Sequence, residues 1–201
     1  MIFWQPSLMT RLCVLALQHN IEPDYAKRLI RIYHFTPPTS DEPIERWPWP
    51  YRFYTLGRFS IIQDDAPLTL TAKGQKKPLE LLKTLIAFGG REVSQAQLTA
   101  ALWPDAEGDA GQQAFEVTLH RLRKMLGEDA PLQLKDGRLT LDARRCWVDV
   151  WAFERLLSTL EAGLREHKPD GLDAVAQKLF TLYQGAVLDR ESELPATLSL
   201  R

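Results

Sequence analysis

The sequence predicts an α+β fold: an N-terminal antiparallel sheet, three helices and a closing β-hairpin, with flanking helices at both ends. Three observations predict it. The apolar period is about two from Tyr51, becomes helical after Pro78, and returns to two across "LQLKDGRLTL". Capping and stop signals divide the middle into three helices. Asp136-Gly137 is a two-residue hairpin signal between alternating leucines.

Residues 1–35 read as a helical segment, the end of a larger helical region. Leu8, Leu12 and Leu15 are expected to form one apolar face, "HNIEPD" interrupts it, and a second helix runs from about Asp24 through "YAKRLIRIY". Residues 36–50 form a Pro-rich linker, because five prolines forbid a continuous helix and favour extended backbone. Trp47 and Trp49 are placed to dock on a neighbouring unit.

Residues 51–148 form the central domain. "YRFYTLGRFSII" reads as a strand with Gly57 as a bulge, "QDDAP" as a turn and "LTLTA" as a second strand. The first helix starts at Pro78, carries Leu79, Leu82, Leu85 and Ile86, and stops at Gly89-Gly90. The second is opened by "VSQAQL": Ser94 caps, Gln97 answers as a capping box, and Val93 staples to Leu98. It ends at "LWPD". The third, "QQAFEVTLHRLRKMLG", is expected to be capped by Asp109 with Gln112 reciprocal, and to end at Gly127. In the hairpin, the Asp-Gly turn sets Leu134 opposite Leu139, Leu132 opposite Leu141, and Lys135 opposite Arg138. Residues 149–201 read as a helical hairpin starting a truncated helical repeat. Asp149 is expected to cap its first helix, which carries Phe153, Leu156, Leu157 and Leu160; Val175, Leu179 and Leu182 line the second.

Composition narrows the function. The chain has 201 residues, 45% hydrophobic and 25% charged, an ordinary globular balance. A formal net charge of −1 gives no bulk basic signature, so nucleic-acid binding must come from local clustering. No apolar run is long enough for a membrane helix, and the N-terminus lacks a secretory pattern. Cys13 and Cys146 frame no disulfide scaffold, which fits a reducing cytoplasm. "TAKGQKK" lacks the spaced glycines of a phosphate loop, the four histidines have no metal spacing, and there is no nucleophile elbow. The expectation is a protein that is not an enzyme and needs no metal or cofactor.

Sheet, three helices and hairpin in that order make a winged helix-turn-helix. On a wheel of about 100° per residue, Phe115, Leu119, Leu122 and Leu126 of the third helix face inward. Gln113, Val117, His120 and Lys124 lie nearly opposite, with Arg121 beside them and Arg123 nearer the edge of the core face. Gln suits adenine, Arg and Lys suit guanine, and Val suits a thymine methyl. A plain solvated face is the alternative for the helix taken alone; the wing behind it favours duplex DNA. A phosphate between Lys135 and Arg138 would relieve their repulsion; the alternative is that both side chains splay into water.

At "YTLGRFSI", "LWPD", "LHRLRKMLG" and "WVDVWAFERLL", the chain resembles the OmpR/PhoB-type winged helix of SARP-class bacterial transcriptional activators, over about Trp49 to Gly185. The opening segment resembles the lead-in to this module in large MalT-like, ATP-dependent activators. The resemblance implies promoter DNA and RNA polymerase as partners, with upstream ATPase and sensor domains in a parent chain and a dimer on repeated sites as options. It implies a recognition helix presenting Gln113, Val117, His120, Arg121 and Lys124. Phosphate or wing contacts fall to Lys73, Lys76, Lys77, Arg123, Lys135 and Arg138, with Arg144 and Arg145 weaker. The acidic loop 104–110, with Asp105, Glu107 and Asp109, corresponds to the polymerase-contact loop. A winged-helix protein–protein module without DNA binding is the alternative.

Overall fold

The computed structural model describes residues 5–38, 46–69, 75–106, 109–167 and 171–188. Two helices come first, α1 (Pro6–Gln18) and α2 (Pro23–Ile32), each with a proline in its first turn, where a missing N–H is harmless. Asn20 and Glu22, both at positive φ, make the break between them. The helices pack on each other around Cys13, Leu17, Ala26 and Ile30, and Trp47 from the linker completes this small cluster. The expected apolar face is corrected here. Leu8, Leu12 and Leu15 are 49–51% exposed, and the buried stripe is that of Cys13 and Leu17, about 100° further round. Two short helices have room to bury one narrow stripe between them, and on α1 that stripe is Cys13 and Leu17.

The first strand region is two strands, β1 (Tyr51–Tyr54) and β2 (Ser60–Gln63), paired antiparallel with Tyr51 opposite Gln63. The single strand expected over this stretch is broken at Thr55–Phe59. Gly57 is no bulge. At φ +83° its backbone meets the C-terminal segment so closely that a Cβ would lie 2.4 Å from the Gln184 carbonyl oxygen. Asp64 and Asp65 turn the chain into the short β3 (Ala66–Pro67), which replaces the expected "LTLTA" strand; residues 70–72 of that stretch lie outside the described residues.

Helix α3 (Lys76–Ala87) starts two residues before Pro78, which sits in the first turn and so breaks no hydrogen bond. Residues 81–87 are buried all round, making α3 the central helix. It stops where Gly89 and Gly90 take positive φ and the Gly90 amide donates to the Leu85 carbonyl at 2.8 Å. After β4 (Val93–Ser94), α4 (Gln95–Leu102) opens with the expected capping box: Ser94 and Gln97 exchange side chain–backbone hydrogen bonds. Helix α5 (Ala110–Leu126) follows. The wing is β5 (Leu132–Lys135) and β6 (Arg138–Leu141) in the predicted register, Leu132 opposite Leu141 and Lys135 opposite Arg138. Finally come β7 (Cys146–Val148), α6 (Asp149–Arg165) and α7 (Leu172–Leu182).

The strands form two small sheets, ordered β3-β2-β1-β7 and β4-β6-β5. In the first, β7 runs parallel to β1, which local periodicity does not anticipate. One core joins both sheets to α3, α4, α5 and the start of α6. This is an α+β winged helix. Trp151 of α6 belongs to that core: its indole N–H donates to the Gly89 carbonyl at 2.9 Å, and its ring fills the space beside Gly90. Asp149 does not cap α6. It is the first helical residue, and its buried carboxylate reaches back to the end of β1.

Candidate nucleic-acid interface

Helix α5 is held on three sides and free on the fourth. Its inner residues Phe115, Leu119, Leu122 and Leu126 are buried in the core, as the wheel predicts. Gly111 lets α4 approach, since a Cβ there would lie 2.7 Å from the Thr99 methyl. At the C-terminal end, the Tyr51 hydroxyl donates to the Leu126 carbonyl at 2.6 Å, and Gln63 donates to the same carbonyl at 3.3 Å. Burial, reinforced by the Asp64 and Asp129 charges, pushes the Tyr51 phenol above its usual range, so it keeps the proton it donates. The orphan carbonyls at a helix end need such donors. Gly127, at φ +95°, ends the helix as expected. Arg123 donates to the Leu132 carbonyl at 3.4 Å, tying α5 to the wing from the edge of the core face.

The N-terminal end differs from expectation. Asp109 occupies the cap position, but its side chain makes no capping hydrogen bond, because its backbone is already helical. Gln112 is not reciprocal to it either; it donates to Glu116 at 3.3 Å.

On the free side, Gln113, Val117, His120, Arg121 and Lys124 are all exposed, with Val117 51% accessible. Among the described residues, no intramolecular hydrogen bond or ion pair engages the four polar members of this stripe. The other basic residues are mostly committed. Lys77 pairs with Glu80 at 2.9 Å, donates to the Leu102 carbonyl and lies over Trp103. Lys76 sits 3.9 Å from Glu80. Both lysines belong to the first turn of α3. Arg144 donates to Asp142, and Arg145 pairs with Asp129 at 2.5 Å. Burial works against the charge of Asp142, but the Arg144 hydrogen bonds outweigh it and hold the carboxyl below its ordinary range.

The wing is asymmetric. Arg138 reaches across β4 to the Glu92 carbonyl at 3.0 Å, whereas Lys135 stands exposed and uncommitted among the described residues. Of its four leucines on one face, Leu132, Leu139 and Leu141 are buried, but Leu134 near the tip is 38% exposed, because the hairpin outruns the core beneath it. A concavity of about 390 Å³ lies between the last turns of α5 and the start of β5, lined by His120, Arg123, Lys124, Gly127, Glu128, Ala130 and Leu132. Asp105 and Asp109 are exposed on the connection from α4 to α5; Glu107 and Lys73 lie outside the described residues. Glu116 is the residue of this surface that the sequence reading passed over, although its three-residue spacing from Gln113 places it beside the stripe.

Such a surface can do one thing: present an uncommitted polar and cationic stripe on a rigid helix beside a basic wing tip. Among the described residues there is no group of three or more His, Cys, Asp or Glu side chains that could hold a metal ion, and no helix is long and apolar enough to cross a membrane.

No family model matches the chain, and no curated protein matches it significantly. Among solved structures, Mycobacterium tuberculosis EmbR in complex with a low affinity phosphopeptide superposes with a TM-score of 0.59 at 18% sequence identity, over 75% of this chain and 40% of that one. The two chains share a fold. The match spans less than half the length of the EmbR chain.

Proposed function

We propose that the chain is a sequence-specific duplex-DNA-binding module of a bacterial transcriptional activator of the SARP class, acting by recruitment of RNA polymerase and carrying no enzymatic activity. One observation carries the reading: Gln113, Val117, His120, Arg121 and Lys124 form an exposed, uncommitted stripe on the outer face of a helix whose inner face is wholly core. A helix of that kind fits the major groove, and its side-chain types match base edges. Lys135 at the wing suits a phosphate. Arg123 and Arg138, already bonded to carbonyls, present less of their guanidinium to DNA. The fold shared with EmbR supports the class. Asp105 and Asp109 suit a basic protein surface and would repel DNA, which fits a polymerase contact. The segment 1–35 fits the end of a longer regulator's helical region.

The test is duplex selection followed by affinity measurement across salt concentration. Phosphate contacts release counterions, so the logarithm of affinity should fall linearly with the logarithm of salt concentration. Lys135→Ala should weaken every duplex alike and reduce the slope by about one. Arg121→Ala or Lys124→Ala should relax one base position at a cost of about 1–3 kcal/mol. Failure to bind any duplex with salt dependence would reject the reading in favour of a protein-interaction module.

A further inference from the structure

The outer face of α5 carries one acidic residue, Glu116, and the functional reading above gives it no role. It is exposed and lies one turn before His120, between the groove-facing stripe and the Arg123 edge. A carboxylate in that place is costly in a complex with a polyanion unless a donor meets it. Within the chain, an ion pair would be the ordinary solution. None forms among the described residues: Arg123, on the same side, is turned to the Leu132 carbonyl, and no hydrogen bond or ion pair joins His120 to Glu116. Instead the Gln112 amide, one turn earlier, donates to a Glu116 carboxylate oxygen at 3.3 Å. That hydrogen bond leaves the second oxygen open and holds the carboxylate on the outer face.

Major-groove edges offer two kinds of amine donor. Adenine N6 stands beside the N7 acceptor, whose lone pair opposes a carboxylate. The cytosine 4-amino group has no acceptor beside it on its own base. We propose that Glu116 is a specificity residue of this interface, accepting a hydrogen bond from a cytosine 4-amino group, with Gln112 as its positioning residue. This inference rests on the DNA-binding reading above. It makes Glu116 discriminate in both senses: it rewards one cytosine, and it penalises bases that place only an acceptor at that point.

The experiment uses the full chain and its Glu116→Ala, Glu116→Gln and Gln112→Ala variants, with circular dichroism to confirm folding. Duplex selection with the unsubstituted chain should yield one position fixed as cytosine that Glu116→Ala no longer selects. Replacing that cytosine by 2-pyrimidinone, which lacks the 4-amino group, should lower affinity about tenfold for the unsubstituted chain and less than about twofold for Glu116→Ala. Glu116→Gln should relax the preference, since an amide both donates and accepts. Gln112→Ala should narrow the discrimination while the slope of affinity against salt stays unchanged. Two results overturn the proposal alone: duplex binding with the same base preference in Glu116→Ala, or equal losses on 2-pyrimidinone in both proteins. Absence of any duplex binding by the unsubstituted chain overturns the DNA-binding reading and this proposal together.

Discussion

Asp149 is buried, and its carboxylate accepts from the Thr55 amide at 2.5 Å, the Thr55 hydroxyl at 2.7 Å, the Leu56 amide at 2.7 Å and the Val150 amide at 2.8 Å. The first three donors belong to Thr55 and Leu56, just past the end of β1, where the chain has turned away from β2 and bridges the C-terminal segment at Val187. Asp149→Ala would strand two amides in the interior. The expected loss is at least about 2 kcal/mol, read from urea denaturation, with Asp149→Asn less damaging because one oxygen still accepts. An unchanged midpoint in Asp149→Ala would contradict this role. Asp142 supplies a pH dependence. Arg144 holds its folded-state pKa below the ordinary 3.8. A depressed carboxyl contributes stability that is fully present above the unfolded value and lost as pH falls through the lowered one. Asp142→Asn should therefore flatten the acid limb of the stability profile, below about pH 4, and leave its neutral plateau less stable. An unchanged acid limb would count against the pairing.

At the level of elements, α5 is positioned more firmly at its C-terminal end than at its start. Tyr51 and Gln63, both from the first sheet, converge on the Leu126 carbonyl, while Asp109 leaves the N-terminal end without a side-chain cap. Tyr51→Phe removes the shorter of these hydrogen bonds without changing the packed ring. Stability should fall by about 1 kcal/mol, and amide exchange should quicken in the last turn of α5 ahead of its first core turns. Uniform exchange along α5 would show that the hydroxyl does not anchor it. The wing shows how far local chemistry reaches. The Asp-Gly turn sets the register from Leu132 to Leu141, and the structure has that register. Whether each leucine is covered depends on how far the hairpin extends beyond the core, and Leu134 is the one left out.

Across the whole molecule, the described residues form one large core and one small one. The large core unites the two sheets, α3 to α5 and the start of α6; the small one holds α1, α2 and Trp47. Asp65 connects the two parts by accepting from Arg52 at 2.9 Å and from Arg31 of α2. Arg31 and Asp65 are exposed and Arg52 is partly so, and exposed pairs contribute about 0–1 kcal/mol. Trp47, by contrast, is buried within the small core and belongs to its packing. Trp47→Ala should speed hydrogen exchange throughout α1 and α2 and leave α3 to α5 protected. Equal loss of protection in both would show a single cooperative unit. The sequence by itself determined the α+β class, the order of sheet, helices and wing, the capping box at Ser94, the hairpin register and the core face of α5. Those follow from interactions between residues a few positions apart, where periodicity, caps and turn geometry act. Only the tertiary structure decided that β7 runs parallel to β1, that Asp149 ties the start of α6 to the chain leaving β1, and that Leu8, Leu12 and Leu15 stay exposed. It also decided which cations of the candidate interface are already committed to carbonyls or carboxylates and which are free. Each of these depends on what lies across a contact between distant segments, and no local pattern encodes that neighbour.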